Sequence, residues 1–124
     1  MAKKHVLVVE DDQNMAKMLK VIFEKEGFLV STSFDGVEAL KALGEEAFDA
    51  IILDILMPQK DGFAVLQERG KTKNAVTPVY VMTNLGQEEN LSKAKEMGAT
   101  ECFVKSRSSP HQVARHIMEA LETK

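Results

Sequence analysis

Along this chain, hydrophobic and polar positions alternate between two periodicities. His5–Val9 is a short apolar, β-branched run, the pattern of a strand buried on both faces. It stops abruptly at Glu10-Asp11-Asp12. Met15, Met18, Leu19, Ile22 and Phe23 then recur at helical spacing, and Gly27 suits the end of that helix. Residues 28–33 predict a second strand. Asp35 with Glu38 predicts a helix start, and Val37, Leu40 and Leu43 its apolar stripe. Residues 48–53 predict a third strand, closed by Asp54. Pro58 and Gly62 mark a loop, and residues 63–69 a short helix.

Pro78 opens a fourth strand over 79–82, ending at Thr83. Residues 87–97 are helical with a thin stripe of Leu91, Ala94 and Met97, closed by Gly98. Residues 102–104 form a fifth strand, ending at Lys105. Ser109-Pro110 with Gln112 opens the last helix, whose core face is Val113, Ile117, Ala120 and Leu121. Five β-α units in succession predict a three-layer α/β fold, a parallel sheet with helices on both faces.

Length and composition narrow the functional classes. The 124 residues amount to one domain, spanning 1–124. Sixteen basic against nineteen acidic residues leave a net charge of −3, which argues against binding nucleic acid by bulk charge. The single cysteine, Cys102, makes neither an internal disulfide nor a multi-cysteine zinc site. No apolar run approaches the ~18 residues of a membrane span, and none follows Met1 at signal-peptide length. The expectation is a cytoplasmic domain without membrane association.

In an open parallel sheet, ligands bind beyond the carboxyl ends of the strands. Four of the five predicted strands deliver polar groups there: Glu10, Asp11 and Asp12; Asp54; Thr83; and Lys105. Converging carboxylates repel one another, and a hard divalent cation resolves the repulsion. Magnesium takes oxygen ligands and keeps several waters, so a shallow acidic site suits it. Acids, magnesium, a hydroxyl and a lysine together can hold a phosphoryl group. Asp12, Asp35 and Asp61 read instead as helix caps. His5, His111 and His116 lack metal-ligand spacing and read as exposed or helix-face histidines. Cys102, within a strand, reads as buried and inert.

These residues carry a resemblance over nearly the whole chain. The segments Val8-Val9-Glu10-Asp11-Asp12, Ile52-Leu53-Asp54-Ile55-Leu56-Met57-Pro58-Gln59-Lys60-Asp61-Gly62, Pro78 to Thr83, Gly98-Ala99 and Val104-Lys105 are similar to those of the receiver domain of two-component response regulators. The resemblance implies a flavodoxin-like (βα)5 fold with strand order 2-1-3-4-5. It implies that Asp54 accepts a phosphoryl group from a histidine kinase or histidine phosphotransfer protein. It further implies Mg2+ held by Glu10, Asp11, Asp54 and the backbone carbonyl of Leu56. Thr83 and Lys105 would bind phosphoryl oxygens. The responding surface would be helix 4, strand 5 and helix 5, acting on a downstream target protein or output domain. The expected chemistry is phosphoryl transfer to the domain itself and slow self-dephosphorylation, with no separate enzymatic substrate. The expected state is a monomer or a phosphorylation-dependent dimer.

Three features depart from the family pattern. The lysine is followed by Ser106, not proline, which predicts a trans Lys105–Ser106 bond and a displaced loop. The responsive aromatic's place is taken by Cys102, and alternation sends Phe103 to the opposite face. Leu56 and Leu85 should shield the acyl phosphate and slow its hydrolysis, and Asn84 replaces a small residue. The alternative reading is a pseudo-receiver that acts without phosphorylation. A phosphatase resembling the haloacid dehalogenases would need an acid where Leu56 stands, and a flavin carrier would meet repulsion at Glu10-Asp11-Asp12.

Overall fold

The computed structural model describes residues 3–55, 57, 61–84 and 88–122. Five strands, β1 (His5–Val9), β2 (Leu29–Ser33), β3 (Ala50–Leu53), β4 (Val79–Thr83) and β5 (Glu101–Val104), form one sheet. All neighbours pair in parallel, in the order β2-β1-β3-β4-β5. The strands alternate with α1 (Gln13–Lys25), α2 (Gly36–Glu45), α3 (Gly62–Glu68), α4 (Glu88–Glu96) and α5 (Pro110–Glu122). This is the predicted three-layer flavodoxin-like architecture.

Strand alternation divides the core into two layers. Leu7, Val9, Ile51, Leu53, Val79 and Val81 face α2, α3 and α4. Val6, Val8, Ile52, Tyr80 and Met82 face α1 and α5. Cys102 packs against the first layer and Phe103 against the second, the opposite placement expected from their adjacency.

Helix ends follow local chemistry. Asp12, Asp35 and Asp61 cap α1, α2 and α3 by accepting backbone N–H bonds at 2.9–3.2 Å. Ser109 and Gln112 cap α5 reciprocally, as the capping box at the predicted helix start requires. The ends of α1 and α4 share one geometry. Gly27 and Gly98 adopt φ of +88° and +110°, and their N–H groups bond back to Glu24 and Lys95. The next amides, of Phe28 and Ala99, reach the carbonyls of Phe23 and Ala94.

Two predicted strand starts shift, each because its first residue is used elsewhere. Phe28 belongs to the turn that ends α1, stacking edge-on against Phe23, so β2 begins at Leu29. Phe48 donates its N–H to the Asn74 side chain rather than to a ladder, so β3 begins at Ala50. The predicted third helix starts one residue earlier, at Gly62, and passes after Glu68 into a 3-10 turn over Arg69–Lys71. His5 is a correction. It is neither exposed nor on a helix: it begins β1, its Nε2 lies 2.8 Å from Ser31 Oγ, and its ring packs on Phe48. In α4 only Ala94 is buried, in keeping with the thin apolar stripe.

Candidate functional site

The carboxyl ends of β1, β3, β4 and β5 bring the predicted polar groups to one rim. Glu10 and Asp54 follow the buried runs Val6–Val9 and Ala50–Leu53 and are themselves buried, at 2% and 5% exposure. Asp11 is exposed, and Asp12 is held away as the α1 cap. Carboxylate oxygens of Glu10, Asp11 and Asp54 lie within 4.8 Å of one another. An all-carboxylate set of this size and spacing suits a hard cation such as magnesium.

Lys105 projects into this cluster. Its Nζ is 2.7 Å from Glu10 Oε2 and 3.1 Å from Asp54 Oδ2. The Lys105 N–H also donates to the Thr83 carbonyl at 2.8 Å, which fixes the ends of β4 and β5 against each other. Thr83 is buried at that end of β4, with 1% exposure. Glu10 Oε1 accepts the Asp12 N–H at 3.1 Å.

The electrostatics follow from the count of charges. One ammonium faces two buried carboxylates, and Asp11 adds a third acid at the surface. Burial pushes the Glu10 carboxyl up to about 7, reinforced by Asp54 and only partly opposed by Lys105. Burial alone would pull the Lys105 ammonium down. Its bonds to Glu10 and Asp54 outweigh that and hold it above the usual lysine value.

Gly62 completes the support of Asp54. Its N–H donates to the Ile55 carbonyl at 2.9 Å, and a Cβ there would lie 2.6 Å from both the Asp54 carbonyl oxygen and Ile55 Cα. The glycine lets the start of α3 press directly on the backbone carrying Asp54. The sequence marks Gly62 as a loop breaker, but nothing in local spacing reveals this contact.

Leu56, expected to offer a backbone carbonyl to the cation, lies outside the described residues, as do Leu85 and Gln87. The described backbone has no cis peptide bond, so Lys105–Ser106 is trans as expected. The following turn is closed by Arg107 and Ser108 N–H bonds to the Val104 carbonyl. Asn84 is exposed beside the site. Cys102 is half-buried, its Sγ 3.8 Å from the Leu91 carbonyl, and burial pushes its thiol up. His111 is exposed on α5, and His116 pairs with Glu101 at 2.5 Å. No described helix is long and apolar enough to cross a membrane.

Comparison with known proteins points the same way as the geometry. The family model for the response regulator receiver domain matches residues 6–117. The chain is 36% identical over 113 residues to a probable transcriptional regulator, ycf27, of Guillardia theta, covering 91% of this chain and 44% of that protein. It thus spans under half the length of that curated relative. Among solved structures, the receiver domain of the Francisella response regulator 1452 superposes with a TM-score of 0.88 at 30% identity, covering 98% of this chain and all of that one. The BeF3-activated DrrB receiver domain does so with 0.85 at 26% identity, covering 98% and 99%.

Proposed function

The chain belongs to the response regulator receiver domain family, and on that premise we propose that Asp54 is its phosphoacceptor and that phosphorylation changes the partners it binds. One observation carries the reading: Lys105 bridges Glu10 and Asp54, with Asp11 completing a carboxylate set within 4.8 Å. In the proposed transfer, an Asp54 carboxylate oxygen attacks phosphorus as the bond to the donor's histidine nitrogen breaks. The nitrogen leaves with the bonding pair. The product is an acyl phosphate on Asp54. Such a transfer depends on positioning and on neutralising charge on the phosphoryl oxygens.

Each side chain has a distinct part. Asp54 is held in line by the β3 terminus and by Gly62 against its carbonyl. Lys105 exchanges its Asp54 contact for a phosphoryl oxygen, keeping a charge-assisted bond at the rim. The Thr83 hydroxyl donates to another phosphoryl oxygen. Glu10 and Asp11, with Asp54, would hold Mg2+, and the ion supplies positive charge against the phosphoryl oxygens. The phosphoryl group brings roughly −1.5 to −2 charge, by analogy with phosphoserine. Drawing Thr83 and Lys105 toward it would bias α4, β5 and α5, the face proposed to meet a downstream target. The phosphodonor is proposed to be a histidine kinase or phosphotransfer protein.

The test is intact mass after incubation with a small acyl-phosphate donor and Mg2+. The expected result is one phosphoryl adduct on the parent and none on Asp54→Ala. Absence of both the adduct and Mg2+ binding would replace this reading with a pseudo-receiver, which Cys102 and Ser106 favour by their departure from the family pattern. The DrrB receiver is described as BeF3-activated, and beryllofluoride is the natural second probe for this chain.

A further inference from the structure

At the end of the sheet opposite Asp54, two polar side chains are buried that the proposed phosphoryl transfer does not use. Asn74 is fully buried in the α3–β4 connection. Its Nδ2 donates to the carbonyls of Leu43 and Glu46 at 2.8 Å each, at the C-terminal end of α2. Its Oδ1 accepts the Phe48 N–H at 2.8 Å and the Thr77 hydroxyl at 3.0 Å. Arg69 is 7% exposed. Its Nη1 donates to the carbonyls of Asn74 and Ala75 at 3.0 and 2.6 Å, and its Nη2 to the Gly98 carbonyl at 3.1 Å. Gly98 is the left-handed residue that ends α4, and a Cβ there would sit 2.9 Å from Arg69 Nη2.

These bonds run unbroken from α2 through the α3–β4 connection to α4. Each carbonyl they use lies at or just past a helix C-terminus or in the connection, where the backbone lacks intrahelical donors. A cation also suits the negative end of a helix dipole. The arrangement is costly: Arg69 Nε is buried with no acceptor among the described residues. No carboxylate partner of Arg69 is found there either. A surface contact would not need such burial.

We propose that Arg69 and Asn74 strap the C-terminal ends of α2 and α4, so that α4 responds to events at Asp54 by moving its N-terminal end about a fixed pivot at Gly98. Ala94 is the only buried side chain of α4, so packing alone anchors it weakly. The direction of movement rests on the phosphoacceptor reading above; the strap itself does not. Arg69 is here a positioning residue.

Hydrogen exchange on the full chain separates the two parts. The amides of Met97, Gly98 and Ala99 are bonded to the carbonyls of Lys93, Lys95 and Ala94. In metal-free protein, Arg69→Met should speed their exchange roughly tenfold or more, the scale of a lost charge-assisted bond. Exchange at Ile117 in α5 should be unchanged. Global stability is a poor readout, because the same change removes a buried charge. Arg69→Lys, which cannot reproduce the planar fork, should give a smaller acceleration at the same amides. Unchanged exchange at residues 97–99 in both variants would overturn the strap.

With beryllofluoride and Mg2+, parent amide signals should shift at residues 88–92 and hold at 97–99. In Arg69→Met the shift should spread to 97–99. Parent shifts at 97–99 would overturn the pivot. If beryllofluoride shifts no signal even around Asp54, the phosphoacceptor reading fails, and the metal-free exchange still decides the strap.

Discussion

Lys105 Nζ sits 2.7 Å from Glu10 Oε2, closer than its 3.1 Å contact with Asp54. The lysine is therefore divided between an acid expected to bind cation and one expected to accept phosphate. Burial, reinforced by Asp54 and only partly opposed by that one ammonium, pushes the Glu10 carboxyl up to about 7. Magnesium and the Glu10 proton compete. Mg2+ affinity should fall about tenfold for each pH unit below about 7, where binding displaces one proton. Calorimetric titration at pH 6, 7 and 8 checks this, and Glu10→Gln should flatten the slope. A parent affinity independent of pH would refute it.

The burial of Glu10 predicts a stability effect of opposite sense to an ordinary ion pair. The folded value for Glu10 lies above its usual 4.5, so the fold favours the protonated form. That contribution is complete below pH 4.5 and is lost as pH rises through about 7. Metal-free Glu10→Gln should gain on the parent between pH 5 and 8, reaching roughly 1–3 kcal/mol. Urea unfolding in the presence of a chelator measures the gap. A gap that stays constant with pH would contradict the assignment.

Two glycine-to-alanine changes should have opposite signs. At Gly62 the new Cβ meets backbone atoms at 2.6 Å, and neither can swing aside. Gly62→Ala should cost about 1–3 kcal/mol and slow formation of the phosphoryl adduct, since the displaced atoms carry Asp54. At Gly44, inside α2, nothing lies within 4 Å. Gly44→Ala should stabilise by about 0.5–1 kcal/mol and leave the adduct unaffected. Denaturation curves together with intact mass resolve both.

Burial holds the Cys102 thiol above its usual value, so less thiolate is present near pH 8. Alkylation of the native protein by iodoacetamide should be at least roughly tenfold slower than in denaturant, where the thiol regains both its ordinary acidity and full access to the reagent. Equal rates in the two states would show that the strand does not shield the sulfur.

The strands β1, β3 and β4 were legible because parallel-sheet strands buried on both faces read as unbroken apolar runs, as His5–Val9 does. The polar rim was legible for the same reason. Glu10, Asp54, Thr83 and Lys105 each interrupt or follow such a run, and topology alone carries their ends together. Arg69, Asn74 and His5 were not legible. Their partners are backbone carbonyls and side chains up to 44 residues away, and those pairings leave no period or spacing behind. Gly62 lay between these cases: its turn was visible, its contact with Asp54 was not.

The sparse burial of α4 bears on how such a domain diversifies. With Ala94 as its single buried side chain, this helix can exchange its outward residues while leaving the sheet and the acidic rim intact. On the proposed reading, substitutions there would change what a partner meets and leave the rim's chemistry as it is. Gene duplicates of this chain would be free to part company first along α4, acquiring separate clients from one inherited machinery.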